Sequence, residues 1–367
     1  MKNLLIKVVL WLVIVNLFAF VALNRFNLSP DTAYKWITPE SFPTAQSWDL
    51  VGIHGRWDTY WYLDIIKNGY YLKTDNTLSN VVFFPLYPFL MKMVGTVLFA
   101  NYILAGWIVS MAALVAGCAY FYKLVKEFHP DVDPELPVLL MLIFPTAFFL
   151  NVVYTEGLFF FITVACFYYV FKKQFWMAGI FALLGSLTHS NGVFLGLPIL
   201  WETVRLLGWK KGLLSKNIIP MAMPAFGMFS FLLYDYLRFK DFMLFFKIES
   251  AWGRSFSINW DHFSFFSHPS IMNMSIDIAF TILIISAVVL VWKKLSPLYS
   301  VFMSLTVLAA LTSGTLMSIG RYSLVLFPLF ILLAKIKNKN AFFAWAVISV
   351  LFLAMDITLW VNNYWAG

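Results

Sequence analysis

The sequence predicts an all-α, polytopic membrane protein of about 11 transmembrane helices with large outer loops carrying short interfacial helices. Three observations predict it. Of the 367 residues, 61% are hydrophobic and only 12% charged, roughly half the charged share of a soluble domain, so a water-soluble fold cannot hide the apolar surface. Runs close to the ~20 apolar residues that cross a bilayer recur along the chain. The Lys and Arg residues behind the net charge of +8 stand in ones to threes between those runs, on alternate connections. A basic stripe is absent, and no nucleic-acid partner is expected.

Lys2 and Lys7 precede the apolar run Val8 to Leu23, which lacks a small-x-small cleavage site and reads as an uncleaved signal anchor. Counting this run, spans are expected near 4–23, 102–122, 138–153, 156–171, 175–188, 192–207, 218–237, 276–292, 298–317, 322–335 and 341–361. Basic clusters then fall at Lys123/Lys126, Lys172/Lys173, Lys210/Lys211/Lys216, Lys293/Lys294 and Lys335/Lys337/Lys339. The positive-inside rule puts these connections and the N-terminus in the cytoplasm and the C-terminus outside.

The outer side receives two long loops. Residues 24–82 contain Asp31, Glu40, Asp49, Asp58, Asp64 and Asp75, and residues 238–275 contain Glu249, Trp252, Arg254, Trp260, Asp261, His262 and His268. Loops of this length usually carry function. The stretch 83–100 is apolar but holds Pro85, Pro88 and Lys92, and counting it as a span would invert every later loop against the charge rule. It is expected to lie in the outer interface or re-enter from it. No internal repeat or soluble boundary is evident, so residues 1–367 read as a single membrane domain. Scarce Pro and abundant Phe, Lys and Asn point to a bacterial plasma membrane.

Four polar breaks fall on the outer side. Arg56-Trp57-Asp58-Thr59-Tyr60-Trp61-Tyr62-Leu63-Asp64, closed by Asn68-Gly69-Tyr70, reads as an aromatic amphipathic helix with a Gly C-cap. Asp58 at its start is either a cap for the first N–H groups or a catalytic carboxylate. Tyr154-Thr155-Glu156-Gly157 places a carboxylate at the bilayer boundary, where it must be near water, paired or functional. Thr188-His189-Ser190-Asn191-Gly192 and Ser318-Ile319-Gly320-Arg321-Tyr322 end two further runs. Arg321 offers a fixed charge and up to five donors suited to a phosphate; its plainer roles are snorkelling or pairing with a structural carboxylate. For His189 the plainer role is packing.

Asp131-Val132-Asp133 resembles a metal and nucleotide-sugar motif, but Pro130 and Pro134 flank it on the expected cytoplasmic side, and it reads as a solvated loop. Asp235 and Asp277, near span ends, read as structural partners. Cys118 and Cys166 lie inside apolar runs, giving neither a disulfide nor a thiolate metal site. There is no P-loop, GxSxG, HExxH or CxxC pattern. No metal or cofactor is expected.

Trp57-Asp58-Thr59-Tyr60-Trp61-Tyr62-Leu63 with Gly69-Tyr70, Phe84-Pro85-Leu86-Tyr87-Pro88, Pro145, Tyr154-Thr155-Glu156-Gly157-Leu158-Phe159, Ser190-Asn191-Gly192, and Arg321-Tyr322 before Phe327-Pro328 resemble, in order, the PIG-V-type mannosyltransferases of the GT-C superfamily. The resemblance runs from Arg56 to Pro328. It implies a GT-C-like helical bundle, a polyprenyl- or dolichyl-phosphate-linked sugar donor, a lipid or glycan acceptor, an outer active site and an essential Asp in the first outer loop, which falls on Asp58. Where the family pattern often has Arg before Asn-Gly, this chain has His189.

On this reading Asp58 is the general base for inverting hexose transfer. Arg56, Glu156, His189, Asn191, Arg254 and Arg321 are the substrate-binding candidates, with Arg321 foremost for the departing lipid phosphate. The rival reading is a polytopic transporter or lipid flippase. Against it, no halves repeat, and the ionisable residues gather at one end of the spans rather than near the midplane.

Overall fold

The computed structural model describes residues 1–26, 49–72, 78–251, 253–254 and 271–366. Asp31, Glu40, Asp75, Trp252, Trp260, Asp261, His262 and His268, all named above, lie outside the described residues. Among the described residues the regular elements are helical throughout.

In chain order they are α1 (Lys2–Arg25), α2 (Thr59–Asn68), α3 (Leu86–Val97), α4 (Tyr102–Phe128), α5 (Leu136–Leu142), α6 (Glu156–Phe171), α7 (Phe175–Ser186), α8 (Gly196–Leu207), α9 (Trp209–Leu213), α10 (Ile218–Phe239), α11 (Leu244–Ala251), α12 (Ile271–Lys294), α13 (Pro297–Leu311), α14 (Ile319–Leu324), α15 (Pro328–Ala334) and α16 (Lys339–Val361). Local signals set their ends. Asn101, Ser296 and Asn338 accept N–H groups in the first turns of α4, α13 and α16, the usual work of short polar caps. Left-handed Gly208 and Lys240 stop α8 and α10, as residues beyond a helix end often do.

Among the described residues five helices, α1, α4, α10, α12 and α16, are long and apolar enough to cross a bilayer. They coincide with expected spans 4–23, 102–122, 218–237, 276–292 and 341–361. Expected spans 156–171, 175–188 and 298–317 fall on the shorter apolar helices α6, α7 and α13, and the remaining three are not continuous helices. The stretch 138–153 holds only the end of α5 and a 3-10 turn, Ala147–Leu150, because Pro145 cannot continue the helix. The stretch 192–207 is a 3-10 segment, Ser190–Leu195, followed by α8. The stretch 322–335 divides into α14 and α15 at Pro328. Helix α3, with 12 residues, extends about 18 Å, too short for a ~30 Å hydrocarbon core.

The chain divides into two compact units. The first comprises Met1–Lys67, Tyr87–Leu158 and Gly320–Gly367. In it α1 packs on α4 and α16, and α15 on α5. Phe144 meets Phe330 edge-on at 5.4 Å and Phe121 meets Phe327 at 5.6 Å. Leu4, Val8, Val15 and Ala19 of α1 are buried, while Ile14, Leu17 and Val21 are exposed, an apolar outward face suited to lipid rather than water.

The second unit comprises Asn68–Leu86 and Phe159–Ile319. Helix α10 packs along α7 and α8, and α13 contacts both α8 and α12. Phe84, Phe231, Leu232 and Phe245 form a core cluster with Tyr70 against it. Here Glu202 is buried between Lys173 and Arg205, with the guanidinium donating two bonds at 2.6 and 2.8 Å.

Candidate functional site

The site is built in the first unit, beginning with the approach to Asp58. Asp49 Oδ1 accepts the N–H groups of Val51 and Gly52 at 3.2 and 2.7 Å, turning the chain into the 3-10 segment Gly52–His54. His54 is stacked on Trp107 with ring centroids 4.0 Å apart. Its Nε2 lies 2.6 Å from Asn16 Oδ1, an oxygen that also accepts from Asn151 Nδ2 at 2.8 Å. Trp107 Nε1 donates to Asn151 Oδ1 at 3.1 Å. The other ring nitrogen, Nδ1, lies 3.2 Å from the Val51 carbonyl, so both nitrogens of the ring face acceptor oxygens. Burial, reinforced by nearby Arg56, lowers the His54 pKa to about 3.

Arg56 is buried and braced by backbone. Its Nη1 donates to the carbonyls of Gly52 and Gly55 at 2.7 and 3.0 Å, and its Nη2 to Val361 at 3.5 Å, the end of α16. Burial lowers its pKa to about 10, leaving it charged at neutral pH. Trp360 Nε1 donates to the Ile53 carbonyl at 2.8 Å, so two bonds fasten α16 to the segment preceding Asp58.

Trp57 adopts a left-handed backbone, φ 51°, uncommon for a bulky residue and of order 1–2 kcal/mol unfavourable. The turn aims the next residue. The Asp58 carbonyl accepts from Trp61 and Tyr62 N–H at 3.0 and 3.3 Å, starting α2, while its N–H donates to the Tyr154 hydroxyl at 3.0 Å. The carboxylate reaches Arg321: Nη1 donates to Oδ2 at 2.9 Å.

Glu156 opens α6, and its Oε1 lies 3.1 Å from Arg321 Nε as an ion pair. Neither that Nε nor the buried Oε2 of Glu156 has a hydrogen bond of good geometry. Gly157 lets α6 start here, since a Cβ would come 3.0 Å from the Ser110 carbonyl and 3.1 Å from that of Leu150. Arg321 follows Ser318, another left-handed residue with φ 71°. Rings of Phe149, Tyr154, Tyr322 and Trp365 stand 5.2–5.7 Å from its guanidinium carbon, within cation–π range. The Asp58 side chain is 19% exposed and that of Glu156 7%, so Asp58 is the carboxylate an incoming group reaches.

The structure thus joins three of the sequence candidates, Asp58, Glu156 and Arg321, and gives Arg56 a neighbouring brace. His189, Asn191 and Arg254 belong to the second unit. His189 Nδ1 accepts the Asn191 N–H at 3.2 Å, capping the 3-10 segment, and its ring lies 5.4 Å from Phe159. Gly192 is required by close packing, since a Cβ there would fall 2.1 Å from the Gly185 carbonyl carbon. Arg254 N–H donates to the Glu249 carbonyl at 3.0 Å. Burial raises the Glu249 pKa and the charge of Arg254 opposes it. Asp131 pairs with Lys335 at 2.8 Å, and Asp133 accepts the Glu135 N–H.

Sequence reading missed Asn16, Asn151 and Trp365. The two asparagines are lone polar residues in apolar runs, a pattern that could have singled them out. Trp365 had no motif around it.

No protein-family model matches the sequence, and no curated protein matches it. The fold is similar to that of ArnT from Cupriavidus metallidurans, solved bound to undecaprenyl phosphate. The TM-score is 0.53 at 10% identity, over 97% of this chain and 76% of that one. Archaeal oligosaccharyltransferase AglB from Archaeoglobus fulgidus, solved with an inhibitory peptide and a dolichol-phosphate, gives a TM-score of 0.45 at 11% identity. That comparison covers 98% of this chain and 56% of AglB. The likeness to ArnT is one of fold. The PIG-V-type resemblance rests on the sequence motifs alone.

Proposed function

We propose that the protein transfers a hexose, mannose by its sequence resemblance, from a polyprenyl- or dolichyl-phosphate donor to a lipid or glycan acceptor on the non-cytoplasmic side. The observation that carries this reading is the Asp58–Arg321–Glu156 arrangement, with Nη1 at 2.9 Å from one carboxylate and Nε at 3.1 Å from the other. It supplies a reachable carboxylate and a fixed cation within one site. The likeness to the fold of ArnT supports a lipid-phosphate donor.

In the mechanism, the acceptor hydroxyl attacks the anomeric carbon and its proton passes to Asp58 as the new C–O bond forms. The bond from that carbon to the lipid phosphate breaks, and the electron pair leaves with the phosphate. A single displacement inverts the anomeric configuration. The phosphate is already a good leaving group and needs charge rather than an acid, which Arg321 provides in a partly dehydrated site. Glu156 holds the other edge of the guanidinium, fixing which nitrogens face the donor. Arg56 holds the strained turn that aims Asp58.

The test is a purified-protein assay with polyprenyl-phosphate mannose and a panel of acceptors. Asp58→Asn is expected to lower kcat by about 10²–10⁴ while the protein still folds; unimpaired transfer by that variant removes the base assignment. Glu156→Gln is expected to lose turnover without losing membrane insertion, and full activity would detach Glu156 from the site.

A further inference from the structure

Beyond α16 the chain turns back instead of running on. The N–H groups of Asn362 and Tyr364 donate to the Leu359 carbonyl at 3.2 and 2.9 Å, and that of Asn363 to Trp360 at 3.1 Å. Asn363 is left-handed, φ 63°, and Asn362 Nδ2 donates to the Thr358 carbonyl at 2.8 Å. This turn delivers Trp365 to the site. Its ring meets Trp57 edge-on, centroids 5.1 Å apart, and stands 5.6 Å from the Arg321 guanidinium carbon. Its indole Nε1 is buried and makes no hydrogen bond.

A buried donor left without an acceptor is unfavourable and calls for a reason. Packing against Trp57 needs only a ring, which Phe would supply. The ring that stands 5.6 Å from the Arg321 guanidinium carbon carries an N–H that Phe lacks, an uncharged donor on a residue flanking the cation. It also adds no net charge to a site that holds two carboxylates and one guanidinium. Oxygen-rich anions are recognised by such mixed sets of fixed donors.

We infer that Trp365 is a substrate-binding residue whose indole N–H donates to an oxygen of the donor's sugar-phosphate head group, beside Arg321. The inference rests on the glycosyltransferase reading and deepens it. The segment Asn362–Ala366 is then part of the donor site.

Titration of the full chain in detergent with a short polyisoprenyl monophosphate tests it. Trp365→Phe keeps the ring contacts and removes the donor; affinity is expected to fall about tenfold, the size of one hydrogen bond to a charged group, with an unchanged melting temperature. Wild-type and Trp365→Phe proteins of equal affinity overturn the inference and leave the glycosyltransferase reading standing. A wild-type protein that does not bind the probe overturns both. Should Trp365→Phe not fold, wild-type protein with 15N-indole tryptophan gives the answer: a tryptophan side-chain N–H resonance moving downfield with probe supports the inference, and none moving overturns it.

Discussion

Arg321 holds two carboxylates with one positive charge, and this sets its sensitivity to substitution. Removing one partner of a buried ion pair leaves the others uncompensated, at about 3–5 kcal/mol. Arg321→Ala is therefore expected to lower the melting temperature in detergent as well as abolish transfer. Arg321→Lys keeps the charge but loses the planar fork that reaches Asp58 and Glu156 from different nitrogens, so it should fold better than Ala and still turn over poorly. His54 makes a separate prediction. Its folded-state pKa of about 3 lies below the unfolded value of about 6.5, so between these pH values the unfolded chain binds the extra proton. The stability is fully present above about pH 6.5 and declines as pH falls toward 3. Melting at pH 7.5, 6.5 and 5.5 should show a decline that is shallower in His54→Gln; equal slopes would remove His54 as the cause.

At the level of elements, the close start of α6 is the sharpest constraint. Gly157→Ala would set a methyl 3.0–3.1 Å from two carbonyl oxygens and push Glu156 away from Arg321. Activity should fall at least tenfold with the protein still inserted, and wild-type turnover would show that α6 can shift freely. What the sequence revealed at this scale followed one physical rule. Long apolar runs with basic flanks, such as those of α4 and α12, need no partner to be recognised, because lipid alone dictates them. The runs around Pro145 and Pro328 are broken into short segments where continuous helices were expected, because apolar composition does not report where proline interrupts the backbone. Asp58, Glu156 and Arg321 were visible as polar breaks in apolar sequence. Asn16 and Asn151 show the same kind of break but were passed over, since an uncharged amide in an apolar run does not announce its partner, here 135 positions away, and Trp365 had no motif around it. The strained turns at Trp57 and Ser318 were equally hidden, as nothing in either residue type demands a left-handed backbone.

For the molecule as a whole, a donor that binds only the folded protein must stabilise it by mass action. A polyisoprenyl monophosphate at about 100 times its Kd should add ~2.7 kcal/mol, seen as a raised melting temperature in wild-type protein and absent in Arg321→Ala. An equal rise in both would place the lipid phosphate elsewhere. The proposed sugar transfer and the rival reading of transport make different demands on the whole molecule. Reconstituted vesicles separate the two: transfer to an acceptor without net lipid movement is the expected result.

The bond between Asp58 and Arg321 spans 263 positions, and the brace from Arg56 to Val361 spans 305. At ordinary translation speeds of about 5–20 residues per second, the ribosome spends tens of seconds between making the carboxylate and making its cationic partner. During that interval a nascent chain carries Asp58 without its counterion, so under the proposed function chemical competence arrives late in biosynthesis. Stalled chains that end before Arg321 should reach the membrane, yet release no sugar from the lipid carrier.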